Sequence, residues 1–248
     1  MNLAFKALVG SHNYNLNNEN SDKDYKVFYY PAFGDMYSGD KSSKHKTSTE
    51  EDIEYHDIRK LPNMLWKSNV NFIEVLFSQE IENLDGVFTE LNAMRESIAA
   101  MNLPYLWDAC TGMMYQKLKH ANRDMNYIDI KDNPETIDKK VGKSLYQVAR
   151  IHMFLNDYAD TDFTDFAQSI YVSDDEGRNH LLNIKSGINT AREYKYLKGI
   201  LDYLHTSELK EKYISRGKDE ETKNKIEGIV KRYVTREIAA ELNQNHRV

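Results

Sequence analysis

The chain has a single cysteine, Cys110, so no intrachain disulfide can form, and a reducing, cytoplasmic compartment is expected. With only 4 prolines and 11 glycines in 248 residues, little interrupts helix formation, and helix is expected to dominate. No apolar run approaches the roughly 20 residues needed to cross a bilayer. The opening Met-Asn-Leu-Ala-Phe-Lys lacks the charged-then-apolar layout of a signal peptide, and no membrane association is expected. Basic excess is missing too. A formal net charge of −6 disfavours a globally basic nucleic-acid binder while leaving room for a local basic patch. No internal repeat is evident.

What is present fits a globular protein: 40% hydrophobic and 29% charged residues, in a chain long enough for a sizeable core. The 17 tyrosines are spread from Tyr14 to Tyr233, as half-buried amphipathic filler would be.

One stretch near the start organises the reading. The apolar run Leu3 to Val9, feeding into Gly10-Ser11, reads as a short buried strand, with a helix turn the alternative that pattern alone leaves open. Gly10 can take backbone conformations closed to other residues, and Ser11 offers a hydroxyl beside it. The polar run Asn13 to Asn20, with five Asn and one Glu, reads as a loop or single helical turn. Then come Asp22 and Asp24, at the head of a strand from Lys23 to Tyr30 that Pro31 stops. Side chains two apart on a strand share a face, so these carboxylates project together. Like charges held that close call for a divalent cation or a proton.

Residues 31–50, rich in Gly, Ser, Lys and Thr, read as an exposed, mobile loop. A second acidic strand follows, with Asp52, Glu54 and His56 on one face and Ile53 and Tyr55 on the other. Either acid supplies the third carboxylate of a metal site. Glu54 is favoured because it sits deeper in the strand, with Asp52 as the alternative. Asp57 is placed to cap the helical stretch that runs to about residue 82, with Pro62 in its first turn. A helix or helix pair is expected over 87–122 with a boundary at Leu103-Pro104, then a loop through Asp132-Asn133-Pro134, then a helix over 139–155. An acidic loop (157–165), a mixed stretch (166–187), an amphipathic segment (190–205) and a charged helical tail complete the chain. The expected organisation is α+β: a small mixed-sheet catalytic unit over 1–82 and an all-helical region over 83–248.

Gly10-Ser11, Asp22-x-Asp24 and a later strand acid together resemble the DNA polymerase beta-like nucleotidyltransferase superfamily. Gly-Ser-His-Asn-Tyr-Asn-Leu…Ser-Asp-Lys-Asp-Tyr-Lys-Val is similar to the motif of its bacterial and phage branch associated with RNA-repair-type operons. Asp57-Ile58-Arg59-Lys60-Leu61, Asn69 to Phe77, Lys143 to Arg150 and Ile184 to Gly187 resemble later segments of that branch. The resemblance implies magnesium (or manganese) held by Asp22, Asp24 and Glu54. It also implies ATP or another NTP gripped by Gly10, Ser11 and Ser21, with Lys143, Ser144 and Arg150 as further phosphate contacts. The activity implied is transfer of an NMP to an acceptor hydroxyl on an RNA 3′ end, a tRNA, a protein or a small molecule, with release of pyrophosphate. Such chemistry needs positioning and charge neutralisation more than covalent help from the protein. Departures from the branch are Asn15 and Lys26 at positions usually Gly, Val70 at one usually Pro, His12 where Arg is frequent, and Gln147 for a His. They leave two rivals standing: an inactive module that binds RNA or protein, and a two-metal nuclease using the same acids.

Overall fold

The computed structural model describes residues 2–19, 21–47, 51–82, 85–126 and 134–245, with only the backbone of 134–137 and 245. In chain order the first elements are β1 (Asn2–Val9), β2 (Lys23–Tyr30), α1 (Phe33–Ser38), β3 (Ser43–Thr47), β4 (Glu51–Asp57), α2 (Leu61–Trp66) and α3 (Val70–Ile73). After these come β5 (Ile81–Glu82), α4 (Gly86–Asn92), α5 (Arg95–Ala100), α6 (Leu103–Asn126), α7 (Pro134–Asp160) and α8 (Phe166–Ile170). The last four helices are α9 (Asp175–Lys185), α10 (Thr190–Leu204), α11 (Glu208–Ser215) and α12 (Glu220–Asn245). The fold is α+β. The chain forms two compact units, one of residues 1–102 with 218–248 and the other of 103–217.

The first unit is built on a mixed sheet of order β3-β4-β2-β1-β5. β1 runs antiparallel to β2 and β5, β2 runs parallel to β4, and β3 closes the edge antiparallel to β4. The near-continuous apolar run of β2 reflects its central place, with Tyr25 to Tyr30 all buried. Phe5 of β1 stacks on Phe28 of β2 at 4.8 Å and meets Phe88 of α4 at 5.1 Å, which fixes where the core sits.

Residues 31–50 differ from the exposed loop expected. They are exposed, but α1 and β3 lie within them. β3 shows no apolar alternation because every one of its residues is exposed; backbone pairing with β4 is what orders it. Residues 48–50, and most of the loop expected through Asn133, lie outside the described residues.

Asp57 caps the next segment as expected, accepting a hydrogen bond from Arg59 N at 2.9 Å. The helical stretch after it breaks into short pieces and gives way to β5, whose two residues left no periodicity to read. The tail helix α12 belongs to this unit, where it packs on α2 and α4. Tyr233 donates to Glu90 at 2.7 Å and Arg236 pairs with Asp85 at 3.1 Å.

The second unit is helical throughout its described residues. α6 and α7 form its centre, burying Trp107, Cys110 and Met114 with Val141, Leu145, Val148 and Phe154. Aromatic edges extend that core: Tyr158 meets Phe163 and Phe166 at 5.4 Å, and Phe163 meets Tyr213 at 4.8 Å. Cys110 is fully buried, and burial pushes its thiol up to about 12, so it behaves as a small hydrophobe. Among the described residues no helix is long and apolar enough to cross a membrane.

Candidate active site

The site begins where β1 ends. Gly10 opens a one-turn 3-10 helix (Gly10–His12) with a left-handed φ of +73°. A Cβ at that position would stand 2.4 Å from Asp24 Oδ2. Both the conformation and the approach therefore require glycine. The Gly10 amide does not point at solvent: it donates to Oε2 of Glu74 at 3.1 Å, and Glu74 is only 2% exposed. Glu74 follows α3, which Asn69 caps by accepting from Asn71 N at 3.0 Å. The Asn69-to-Phe77 segment thus holds the turn against the acids.

The loop after the turn is well tied. His12 Nε2 lies 3.1 Å from the Ser21 carbonyl, and buried Asn13 accepts from Gln79 N at 3.1 Å. Ser21 uses its hydroxyl inside the loop, donating to Asn18 Oδ1 at 3.1 Å and accepting from Asn18 N at 3.0 Å. Asn15 has φ +62°. Among non-glycine residues Asn tolerates that left-handed region best, so the substitution for glycine preserves the backbone path. Val70 likewise occupies the first residue of α3, where proline is favoured but not required.

Asp22 lies exposed just ahead of β2, and Asp24 is half-buried within it. In the parallel ladder Asp24 stands opposite Asp52, Lys26 opposite Glu54, and Phe28 opposite His56. All six side chains share one face by strand alternation. Burial, first, and then the charges of Asp22 and Asp52 raise the Asp24 carboxyl above its ordinary range, against smaller opposing effects of Lys26 and His12. Asp52 Oδ1 accepts from Thr47 Oγ1 at 2.8 Å and lies 2.7 Å from His45 Nε2, both on β3.

Glu54, favoured from sequence as the third acid, is engaged elsewhere. Lys26 Nζ meets its Oε2 at 2.7 Å, and His56 Nε2 lies 3.2 Å from the same oxygen. The His56 hydrogen bond, then that of Lys26, hold the Glu54 carboxyl down to about 2 against the effect of burial. Behind them Ser43 Oγ is 3.1 Å from His56 Nδ1, and Lys60 donates to Ser43 at 2.8 Å. Arg59 is likewise occupied, forking onto buried Asp57 through Nη2 at 2.6 Å and Nε at 3.0 Å. The geometry thus sets Asp24 against Gly10 and opposite Asp52, with the charge of Asp22 felt at its carboxyl, and draws Glu54 into an ion-paired cluster one rung along.

A divalent cation fits this donor set in chemistry: three carboxylates, all oxygen, with one carboxyl already unfavourably ionised. It does not find a finished cage. Among the described residues no three acid, His or Cys side chains converge in an arrangement that would hold a metal by themselves.

Lys143, Ser144 and Arg150 all lie on α7, in the second unit. Lys143 is exposed and Arg150 buried. Beside them Gly142 lets α9 approach: a Cβ there would meet the Ile184 carbonyl at 2.5 Å and the Gly187 nitrogen at 2.7 Å. The two later motif segments therefore form a helix contact within that unit.

Sequence reasoning gave no role to Glu74 or His56 and saw Lys26 only as a departure. Lys26 and Glu54 could have been paired from the parallel register, had it been known.

No curated protein matches the chain. Its sequence does match a known family across residues 1–229, the Gly-Ser turn, both acidic strands and α7 included: the chain belongs to the RNA repair pathway DNA polymerase beta family, RlaP.

Proposed function

We propose that this polymerase beta-like protein is a magnesium-dependent nucleotidyltransferase acting on an RNA hydroxyl. The observation that carries the reading is the contact of left-handed Gly10 with Asp24, whose carboxyl is itself crowded by Asp22 and Asp52. Asp22, Asp24 and Asp52 are the acids that would hold the metal, with Glu54 as a neighbour that Lys26 keeps occupied. Manganese suits the same donors. When bound, the ion supplies charge neutralisation at the transferring phosphate. Glu74 takes the Gly10 amide, and the amides of Asn13 and Tyr14 turn back to the Gly10 carbonyl, so the Ser11 hydroxyl and the amides of Ser11 and His12 would receive the NTP phosphates. The RNA oxygen attacks the α-phosphorus, the bond to the β-phosphate bridge breaks, and pyrophosphate leaves with its electron pair. The hydroxyl proton passes to a carboxylate of the set or to water. ATP is the first NTP to test, and RNA is favoured as acceptor by the family's RNA-repair description.

The inactive-module reading rests on Asn15 and Lys26; Asn15 keeps a left-handed turn, and Lys26 is ion-paired with Glu54. The test is transfer of label from α-labelled NTPs to RNA with magnesium, run beside Asp24→Asn. Wild type should label RNA without shortening it, and Asp24→Asn should lose several kcal/mol of transition-state stabilisation, about 10³-fold in rate. Shortened RNA would make it a nuclease, and undiminished transfer by Asp24→Asn would refute the site.

A further inference from the structure

The second unit carries a surface that its core does not explain. α10 buries Leu197, Leu201 and Leu204 on one side. Its other side exposes Tyr196 at 61% and Tyr203 at 68%. Two large aromatics left in water on one helix face are costly unless something covers them. Between them lies an open surface patch lined by Arg192, Lys195, Tyr196, Gly199, Ile200 and Tyr203. Gly199 leaves the helix backbone bare there, with open space where a Cβ would be.

The lining contains two cations and no acid, in a chain of net charge −6. Glu193 of the same helix lies outside it, and exposed Asp202, two turns beyond Lys195, borders it. Among the described residues neither Arg192 nor Lys195 forms an ion pair with a carboxylate, and Lys198 extends the exposed basic side. Tyr196 and Tyr203 are seven residues apart, which is about 10.5 Å along the helix axis. Unpaired cations select a polyanion, and paired aromatic faces select one that carries flat π-systems.

We propose that this face of α10 docks a single-stranded segment of RNA, its bases stacking on Tyr196 and Tyr203 while Arg192 and Lys195 meet the phosphates. The inference rests on the reading of the acceptor as RNA but not on catalysis in the first unit. An acidic peptide would satisfy the cations without using the tyrosine rings, and a second copy of α10 would bring like charges together.

The test uses the full chain and a fluorescein-labelled 12-residue single-stranded RNA, read by anisotropy, with magnesium-dependent ATP binding measured by calorimetry on the same samples. Tyr196→Ala/Tyr203→Ala should weaken RNA binding about 10- to 100-fold. Arg192→Ala/Lys195→Ala should flatten the slope of log affinity against log salt by about 1.4. Both variants should melt like wild type, since the altered side chains are exposed, and bind ATP as wild type does. Wild-type RNA affinity in the tyrosine variant would overturn the proposal and leave nucleotide transfer intact. So would preference for an acidic peptide or for single-stranded DNA of the same sequence, or self-association abolished by Tyr203→Ala. ATP binding absent with α10-dependent RNA binding present would sustain this surface and refute the transferase instead.

Discussion

Two neighbouring rungs of the β2–β4 ladder are built on opposite electrostatic plans. In one, Asp24 faces Asp52; in the next, Lys26 faces Glu54. Like charges directly opposite on a sheet destabilise it, while opposite charges stabilise it. The first rung leaves a carboxyl raised by burial and by two acids, and the second leaves one lowered to about 2 by His56 and Lys26. The two carboxylates, Asp24 of β2 and Glu54 of β4, stand on successive same-face rungs of one ladder. What separates them is the partner, and partners on a parallel strand are set by the whole sheet. Repulsion left at one rung and relieved at the next is what the proposed cation at the first rung would answer.

The sharpest way to break this comparison is to neutralise one acid from each rung. Asp52→Asn should lower transfer by about 10²- to 10³-fold, as loss of a metal-holding carboxylate would. Glu54→Gln should stay within about tenfold of wild type, because its oxygens are already committed to Lys26 and His56. Steady-state rates with saturating NTP decide it. Equal losses in the two variants would make Glu54 part of the metal set and erase the distinction between the rungs.

Much of the first unit was legible. The buried run of β1 and the alternating acids of β4 are local patterns, and Gly10 announces a turn wherever it falls. Asp57 as a cap was equally local. The choice between Asp52 and Glu54 was not, because period two puts both on one face and only pairing with β2 separates them. Depth along the strand pointed to Glu54; the register sets Lys26 opposite it and Asp24 opposite Asp52. Glu74 was hidden for the same reason: it acts on an amide 64 residues away. β3 offered no signal, since all its residues are exposed and its order comes from backbone bonds. The return of α12 to the first unit is a long-range event that a charged, weakly periodic helix does not advertise. Asn15 read as a loss until its φ of +62° showed the position still takes the conformation glycine would.

A smaller effect isolates the second rung. Lys26→Met keeps the buried stem and removes the charge, and it should cost about 1 kcal/mol of stability, discounted because Glu54 remains half-exposed to water. In a Glu54→Gln background the same change should cost clearly less, since the partner is already neutral. Urea unfolding of the four proteins gives the coupling. Additive losses would mean that the 2.7 Å contact contributes nothing measurable.

Acid should act on the two rungs with opposite sign, and this is the smallest effect. Asp24 has its carboxyl raised on folding, so the folded state holds the proton more tightly and ionisation at neutral pH destabilises it. Asp24→Asn should therefore be more stable than wild type by a few tenths to about 1 kcal/mol near neutrality without magnesium. That advantage should shrink as the pH falls through the raised value towards the ordinary 3.8. Glu54 has its carboxyl lowered, so its contribution is complete above 4.5 and fades as the pH falls from there towards about 2. The deficit of Glu54→Gln should then persist to lower pH than the advantage of Asp24→Asn, and diminish only below 4.5. Urea midpoints of the three proteins from neutrality to about pH 3 would trace both curves. Added magnesium should stabilise wild type and not Asp24→Asn, by an amount that grows with concentration relative to its dissociation constant. If both differences kept one sign of slope, the two rungs would share a single electrostatic environment, and the repulsion at Asp24 could not be the feature that calls for a cation.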